Sequence, residues 1–423
     1  MRINPFLWAL YHFFRVIAWV GARVYFQRLT VIGKEYLKQT DGPIIVVVNH
    51  PSTLMDVLLP GSFIPRVMYF LANYGLFKNP VSGWILRRLY CIPVKRKEDV
   101  EEGEARDNED AFEQSYIHLG KSGALFIAPE GVSYMNRFVR PLKTGTARIA
   151  LGTEARYHNK VHILPIGLSY NAPHQFRSNA VMCVGAPILV EEWLPDWLKN
   201  GPATVDALTE YIEQRLKDQT IHAVDEAGET LVTLAESMLH DARPLPLRAE
   251  FERTQQLVRD HLMTNSPTWQ QLRAYNDQLQ AHHCPDAVFS ERFSAVQRLV
   301  LWLGAPVFLV AMLFWFLPCY LPYRLNKKLN LYIGYSSTIK VLSGVFTFSL
   351  ALWALRWATH FWVPSWAGYL GLVVLVALLG YFAEYYLDCW NGYRAQQQKK
   401  RLNPEVWAGI KRQRAAVIGG FSP

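Results

Sequence analysis

Residues 44–56 read IIVVVNHPSTLMD, and this stretch decides the fold. The run 44–48 is apolar and β-branched throughout, which is typical of a strand buried on both faces of a parallel sheet. Pro51 favours the start of a helix, so Asn49 and His50 are predicted to lie in the turn between strand and helix. Because α/β folds place their active sites at the carboxyl ends of such strands, this turn is the first place to look for chemistry.

Short apolar runs alternate with helical stretches on both sides of this segment. The pattern predicts a mixed, largely parallel central sheet flanked by helices, which is an α/β fold. Pro165 predicts an edge strand or a bulge, because proline cannot donate to a sheet ladder. The predicted strands are 29–32, 44–48, 67–71, 91–94, 124–128, 163–168 and 180–184, and the predicted helices are 53–60, 80–89, 109–119 and 145–157.

The composition of the 423-residue chain indicates a membrane protein. It is 51% hydrophobic and only 19% charged, and its net charge of +9 lies entirely in residues 299–423, which hold 12 Lys/Arg and three Asp/Glu. That region contains three apolar stretches, 299–322, 341–361 and 366–386, each near the ~20 residues that span a bilayer. Basic residues beside apolar runs favour anionic lipid as the partner over nucleic acid.

The flanking charges predict the topology. The basic loop 323–340 and the basic tail are expected on the cytoplasmic side, which makes 341–386 a hairpin. The prolines of 299–322 predict a broken or re-entrant helix there. Residues 5–26 mix aromatic with basic residues, which favours an interfacial helix over a packed core helix.

The predicted organisation follows from these features. We expect an integral membrane protein with its catalytic domain on the cytoplasmic face, most plausibly of a bacterial inner membrane. The expected parts are a membrane-associated helix 1–27, a catalytic domain 28–200, a helical connector 201–298, membrane segments 299–390 and a basic cytoplasmic tail 391–423.

The turn after 44–48 holds the sharpest chemical signal. His50 stands just before the predicted helix and Asp56 follows about two turns later, so the two can form a general base and the carboxylate that orients it. The alternative is that Asn49 or His50 merely caps the helix. Both interpretations are open on these residues alone.

Three further blocks follow apolar strands. Residues 128–133 (APEGVS) put Glu130 in a glycine turn, and 140–148 (RPLKTGTAR) add basic residues that suit a phosphorylated substrate; an ordinary turn with solvated charges is the alternative. Arg96 ends the strand block 92–96, where adjacent cations can clamp a phosphate. The fourth block is the proline-containing strand 163–168.

Other chemistries find no support in the sequence. There is no nucleophile elbow for a serine hydrolase, no Walker A motif and no dinucleotide fingerprint. The five cysteines are scattered without a C-x-x-C pair, so we expect neither a disulfide framework nor a metal site.

Together, the four blocks in this order resemble the glycerolipid acyltransferase family, the plsC-type or glycerophosphate acyltransferase superfamily. The resemblance covers about residues 25–190. Five residues instead of the usual four separate His50 from Asp56, and Ala128 replaces a usual Phe. Both departures resemble a subgroup of yeast-type acyltransferases that act on glycerol 3-phosphate and dihydroxyacetone phosphate, together with bacterial relatives.

The resemblance implies acyl transfer from an acyl thioester to a glycerol-backbone hydroxyl, with His50 as base and Asp56 as its orienter. It implies acyl-CoA or acyl carrier protein as co-substrate and no metal or other cofactor. The rivals are a lysophosphatidic acid acyltransferase and a non-catalytic membrane scaffold. Residues expected to bind the acceptor are Arg96, Glu130, Gly131 and Ser133, with Lys143 and Arg148 added for its phosphate.

Overall fold

The computed structural model describes residues 5–38, 42–96, 108–289 and 293–421, and the chain divides into two compact units. We call them the α/β unit and the helical unit. The α/β unit comprises Met1–Glu229, Pro246–Gln255 and Ile333–Ser337, and the helical unit comprises Thr230–Leu245, Gln256–Tyr332 and Thr338–Pro423.

The described part of the α/β unit contains one eight-stranded sheet. Its order is β1-β7-β6-β2-β5-β3-β4, with β8 paired to one end of β6. All neighbouring pairs are parallel except β6 with β7 and β6 with β8, so the predicted mixed, largely parallel sheet flanked by helices is confirmed. The strands are β1 Arg28–Ile32, β2 Ile44–Val48, β3 Met68–Asn73, β4 Cys91–Val94, β5 Ala124–Ile127, β6 His162–Tyr170, β7 Asn179–Val184 and β8 Ile188–Leu189.

Strand β2 lies in the middle of this sheet, as its β-branched run predicts. All five of its residues are buried, and it pairs in parallel with β5 on one side and β6 on the other. The other predicted strands lie within about two residues of the observed bounds. The two-residue β8 was not predicted because so short a run has no periodicity to read.

The expectation that Pro165 marks an edge or a bulge is wrong. Pro165 lies inside β6, between β2 and the strands on the far side. Its carbonyl accepts from the N–H of Gly185 on that far side, where the partner of β6 changes from β8 to β7. The backbone N and C=O of one strand residue point to the same side. The N–H that Pro165 lacks would therefore also point to this changeover, so its absence interrupts neither the β6–β7 nor the β6–β8 hydrogen-bond ladder.

Helices cover the sheet and one of them extends the core beyond the predicted domain boundary. Leu208, Ile212 and Leu216 of α7 are fully buried in the same hydrophobic cluster as the strands, so the residues after 200 begin as part of the α/β unit. The helices in this part of the chain are α1 Pro5–Tyr25, α2 Met55–Phe63, α3 Pro80–Arg88, α4 Glu109–Gly120, α5 Gly145–Tyr157, α6 Leu194–Lys199, α7 Gly201–Asp218, α8 Glu226–Ala242 and α9 Leu247–Leu257.

Helix α1 leaves most of its apolar surface uncovered. Only Ala22 and Tyr25 are buried, while side chains such as Phe6, Phe13 and Trp8 are more than half exposed. Its mixture of aromatic and basic residues is that of an interfacial helix. Its association with a membrane stays a prediction.

In the described part of the chain, three helices are long and apolar enough to cross a membrane: Ala305–Leu329, Ile333–Thr359 and Trp366–Lys399. The described α-helices from residue 267 onward include these three as α12, α13 and α14, and the second apolar stretch also includes the 3₁₀ turn before α13. Their bounds are α10 Pro267–Ala281, α11 Ala295–Leu303, α12 Ala305–Leu329, α13 Ser336–Thr359, α14 Trp366–Lys399 and α15 Pro404–Phe421.

The stretch 299–322 is broken, as predicted, but at one place only within the described helices: α11 ends at Leu303, just before Pro306. Helix α12 then runs without interruption through Pro318 and Pro322. Pro322 has no N–H for the carbonyl of Pro318, and the hydroxyl of Thr347 donates to that carbonyl instead, at 3.0 Å. A neighbouring side chain of this kind is what allows proline inside an apolar helix.

The basic tail is also more ordered than its composition suggests. Arg414 of α15 is buried and pairs with both Asp286 and Asp241, at 2.8 and 3.0 Å. Tyr275 donates a further hydrogen bond to Asp286 at 2.6 Å. One cation of the predicted basic tail is therefore an internal part of the helical unit.

Candidate active site

His50 and Asp56 meet in the turn between β2 and α2. Nδ1 of His50 lies 2.9 Å from Oδ2 of Asp56, whose side chain is fully buried, while the imidazole is 16% exposed. Because a carboxylate only accepts hydrogen bonds, it holds the proton on Nδ1 and leaves Nε2 free to accept one. An exposed edge with an unprotonated nitrogen is what a general base requires.

Two more donors fix the Asp56 carboxylate. The N–H of Ser52 donates to Oδ2 and the hydroxyl of Tyr170 donates to Oδ1 at 3.0 Å. Burial raises the pKa of Asp56, and these hydrogen bonds and the one from His50 oppose the rise. Burial and the neighbouring carboxylate raise the pKa of Tyr170 far above its ordinary value, so this phenol remains a donor.

The alternative that Asn49 or His50 caps α2 is wrong. The residue before α2 is Leu54, and no side chain caps it. The amide of Asn49 instead bonds to both the N–H and the C=O of Leu168 on β6, at 2.7 and 2.9 Å. This pair of bonds ties the end of β2 to β6 and so fixes where the His50 turn begins.

Glu130 connects the second motif to the first. Its Oε1 accepts from the N–H of His50 at 2.9 Å and its Oε2 accepts from the N–H of Arg140 at 3.4 Å. Burial raises the pKa of Glu130 to about 7. The structure therefore places Glu130 against the backbone of the His50 turn and of the 140–148 block.

Ser133 acts on the same turn, since its hydroxyl accepts from the N–H of Thr53 at 3.0 Å. Gly131 lies between these two contacts with a φ of +77°, a conformation that favours glycine. A Cβ at Gly131 would come within 2.7 Å of Nζ of Lys143, so the lysine side chain lies across this glycine. His50, Asp56, Glu130, Gly131, Ser133 and Lys143 thus form one cluster.

Arg96 and Arg148 lie farther out. Arg96 follows β4, whose carboxyl end shares the sheet edge with β2 but is three strands away, or about 14 Å at ordinary strand spacing. The residues after it, 97–107, are outside the described part of the chain. Arg148 is exposed in the first turn of α5, and its charge acts on the phenol of Tyr116 in α4.

A small cavity of about 140 Å³ adjoins the catalytic turn. Its lining includes Asn49, Pro51 and Tyr170 beside the polar side chains of Arg137 and His174. Tyr170, Arg137 and His174 were not among the predicted site residues. Tyr170 could have been found only by knowing that β6 lies next to β2, because 114 residues separate it from Asp56.

Among the described residues, no group of three or more His, Cys, Asp or Glu side chains could hold a metal ion, and all five cysteines are free thiols.

Comparison with other proteins shows what this α/β domain, with its His–Asp pair after a central strand, is similar to. Residues 28–169 match the acyltransferase family model. A glycerol-3-phosphate O-acyltransferase of Saccharomyces cerevisiae is 33% identical over 152 residues, and a second one from that yeast is 29% identical over 198 residues. A chloroplastic 1-acyl-sn-glycerol-3-phosphate acyltransferase of Brassica napus is 28% identical over 144 residues. Residues 28–169 of the α/β unit are therefore similar to the acyltransferase domains of these glycerolipid enzymes.

Each of these alignments covers less than half of this chain and less than half of the relative. The alignments cover 35%, 44% and 34% of this chain, and 20%, 26% and 40% of the two yeast proteins and the plant protein. The crystal structure of a 1-acyl-sn-glycerophosphate acyltransferase from Thermotoga maritima aligns with 48% of this chain and 77% of its own, at 21% identity and a TM-score of 0.36.

Proposed function

We propose that this protein is a membrane-bound acyltransferase of phospholipid biosynthesis. It moves a fatty acyl group from an acyl thioester to a hydroxyl of glycerol 3-phosphate or dihydroxyacetone phosphate. The observation that carries the proposal is the 2.9 Å contact between His50 and buried Asp56 at the carboxyl end of β2. The similarity to two yeast glycerol-3-phosphate O-acyltransferases supports the choice of acceptor.

In the proposed reaction, Nε2 of His50 removes the proton of the acceptor hydroxyl as the oxygen attacks the thioester carbonyl. The tetrahedral intermediate collapses with release of the thiolate, which takes the proton back from the imidazolium. Asp56 keeps the imidazole in the required tautomer and stabilises its charge. General-base catalysis of this kind is worth about 10²- to 10⁴-fold in rate.

The acceptor phosphate needs cations near the catalytic turn. Lys143 is the best-placed candidate, because its side chain lies across Gly131 in the same cluster as His50. Arg96, on the same sheet edge, is proposed to approach the phosphate from the far side, and Arg148 is the weakest of the three because its charge acts on Tyr116. Glu130 and Ser133 contribute indirectly, since both bond to the backbone of the turn that would face the acceptor.

The activated thioester supplies the driving force, so the proposal includes acyl-CoA or acyl carrier protein as co-substrate and no metal or prosthetic group. The chemistry also suits a membrane. The acyl chain and the product partition into lipid, whereas the acceptor is soluble in water.

The proposed location is a bacterial inner membrane, with the catalytic domain on the cytoplasmic face. Cations flank the pair α13 and α14 in 324–340 and in 394–412, which favours a hairpin with both ends cytoplasmic. Arg356 of α13 is a cation near the opposite end, where it donates to the carbonyls of Val363 and Pro364. The balance of charge still favours the two outer flanks.

Lysophosphatidic acid is the alternative acceptor, favoured by the similarity to the plant enzyme. A scaffold without activity is disfavoured by the complete His50–Asp56–Tyr170 chain of hydrogen bonds.

A panel of acceptors tests the proposal. The purified 423-residue chain in nanodiscs receives one of two radiolabelled donors, acyl-CoA or acyl carrier protein loaded with an acyl group. Each donor is tested with glycerol 3-phosphate, dihydroxyacetone phosphate and lysophosphatidic acid. Labelled lysolipid from one of the two small acceptors supports the proposal. Product from lysophosphatidic acid alone would establish the alternative, and no product from any pairing would refute acyl transfer.

A further inference from the structure

A segment far along the chain, Ile333–Ser337, packs on the turn that carries His50. It belongs to the α/β unit and consists of a 3₁₀ turn and the first two residues of α13. Both α13 and the preceding α12 are apolar enough to lie in a membrane. Gly334 is buried and Ser337 is fully buried. The hydroxyl oxygens of Ser52 and Ser337 are 2.9 Å apart, and the hydroxyl of Thr53 donates to the carbonyl of Gly334 at 3.2 Å.

Thr53 shows why this turn needs support. Its φ is +46°, in the left-handed region that a β-branched residue rarely adopts. Such a conformation persists only where the surroundings hold it in place. The hydroxyl of Ser133 holds the N–H of Thr53, and the carbonyl of Gly334 holds its side chain.

Ser52 connects the segment to the catalytic pair. Its N–H donates to Oδ2 of Asp56, the same oxygen that lies 2.9 Å from Nδ1 of His50. Its hydroxyl bonds to Ser337. A shift of Ser52 therefore moves the carboxylate relative to the imidazole.

From these contacts we infer that Ile333–Ser337 is part of the active site and positions the catalytic turn. Ser337 and Gly334 act through Ser52 and Thr53, so they are positioning residues. The inference rests on the proposed acyl transfer for its kinetic consequence, and on the contacts alone for its structural one. The start of α13 and the turn before it thus become a component of catalysis, although they lie outside residues 28–169, which match the acyltransferase family model.

A double-mutant cycle between Ser52 and Ser337 tests the kinetic consequence. Ser337→Ala should lower kcat about five- to twentyfold, with both KM values changed less than twofold, because it loosens the turn without touching substrate. The kcat of the double variant, Ser52→Ala with Ser337→Ala, should be no lower than the kcat of the more impaired single variant. Ser343→Ala is the matched control, because Ser343 of the same helix donates only to Ile339 of its own backbone.

Thr53 provides a rescue by conservative substitution. Thr53→Ala should lower kcat in the same way, whereas Thr53→Ser keeps the hydroxyl that reaches Gly334 and should retain most of the activity. Wild-type kcat in Ser337→Ala and Thr53→Ala, or losses that add in the Ser52/Ser337 cycle, would overturn the inference.

A designed disulfide tests the contact without any assay of activity. With the five native cysteines replaced, Ser52→Cys and Ser337→Cys should form a disulfide on mild oxidation, since oxygens 2.9 Å apart leave little distance to close to a sulfur–sulfur bond. Ser52→Cys with Ser343→Cys is the control and should not. Mass spectrometry of the linked peptides detects the disulfide, and the absence of a disulfide between Ser52→Cys and Ser337→Cys would refute the contact. If the native chain transfers no acyl group, the proposed function fails while this experiment still decides whether the segment holds the turn.

Discussion

Replacing Asp56 by Asn tests the catalytic pair without changing the shape of the side chain. Three donors point at the Asp56 carboxylate: the imidazole Nδ1–H of His50, the N–H of Ser52 and the hydroxyl of Tyr170. An asparagine offers one oxygen and one NH₂ group in the same space. The amide oxygen is expected to face the N–H of Ser52 and the imidazole, which share Oδ2, so the NH₂ group faces Tyr170, whose hydroxyl can accept from it. His50 then keeps its tautomer but loses the negative charge that stabilises its protonated form.

The size of the effect follows from that loss of charge. Without the carboxylate, the imidazolium that forms as His50 takes the substrate proton is not stabilised, so most of the about 10²- to 10⁴-fold gain from general-base catalysis is lost. We expect kcat of Asp56→Asn to fall by about 10³-fold with little change in KM. Tyr170→Phe removes one donor and leaves the carboxylate intact, so it should cost about tenfold, as expected for one hydrogen bond to a charged group.

The assay is the rate of labelled lysolipid formation by each variant in nanodiscs, at saturating thioester and acceptor. Thermal unfolding of each variant checks that the fold is retained. Activity of a folded Asp56→Asn protein within tenfold of the native rate would refute the reasoning. So would a Tyr170→Phe variant that is as slow as Asp56→Asn.

Three other predictions follow from the same cluster and from the apolar helices. Burial raises the folded-state pKa of Glu130 to about 7, above the ordinary ~4.3. Between these values the folded protein holds a proton that the unfolded chain has released, so the stability contributed by this group is complete at low pH and falls as pH rises to 7, by at most about 4 kcal/mol. Melting temperatures from pH 5 to 8 should thus fall more steeply for the native chain than for Glu130→Gln, and parallel curves would contradict this. Gly131→Ala should lower the free energy of unfolding by about 1–2 kcal/mol, because alanine is strained at a positive φ. It should also raise KM for the phosphorylated acceptor by displacing Lys143, and an unchanged KM would contradict this. In topology, a single cysteine at Pro364 should react with an impermeant reagent from outside sealed cells and one at Gln397 should not; the reverse pattern would refute the proposed hairpin.

The sequence was sufficient for the parts of the site that are local in the chain. The β-branched run of β2 predicts a central strand, and the turn directly after it brings His50 and Asp56 together across six residues. The order of the helices and strands follows from hydrophobic periodicity in the same way. Predictions of this kind succeed because each depends on neighbours that the sequence itself displays.

The parts that were missed depend on contacts between distant residues. Tyr170 reaches Asp56 because β6 lies beside β2, and Ser337 reaches Ser52 across 285 residues, which no local pattern encodes. Pro165 was misinterpreted for the same reason, since its partner strands change within β6. Glu130 was predicted at the site, but its bond to the N–H of His50 could not be inferred from a Pro-Glu-Gly turn.

The central claim is that His50 removes the proton of a glycerol-backbone hydroxyl during acyl transfer. The most direct measurement compares native chain and His50→Ala in nanodiscs, with labelled acyl thioester and the acceptor that the panel selects, after thermal unfolding has shown that both are folded. The kcat of His50→Ala should be at least about 10²-fold lower than that of the native chain, as expected for removal of a general base. A folded His50→Ala protein that turns over at nearly the native rate would contradict it.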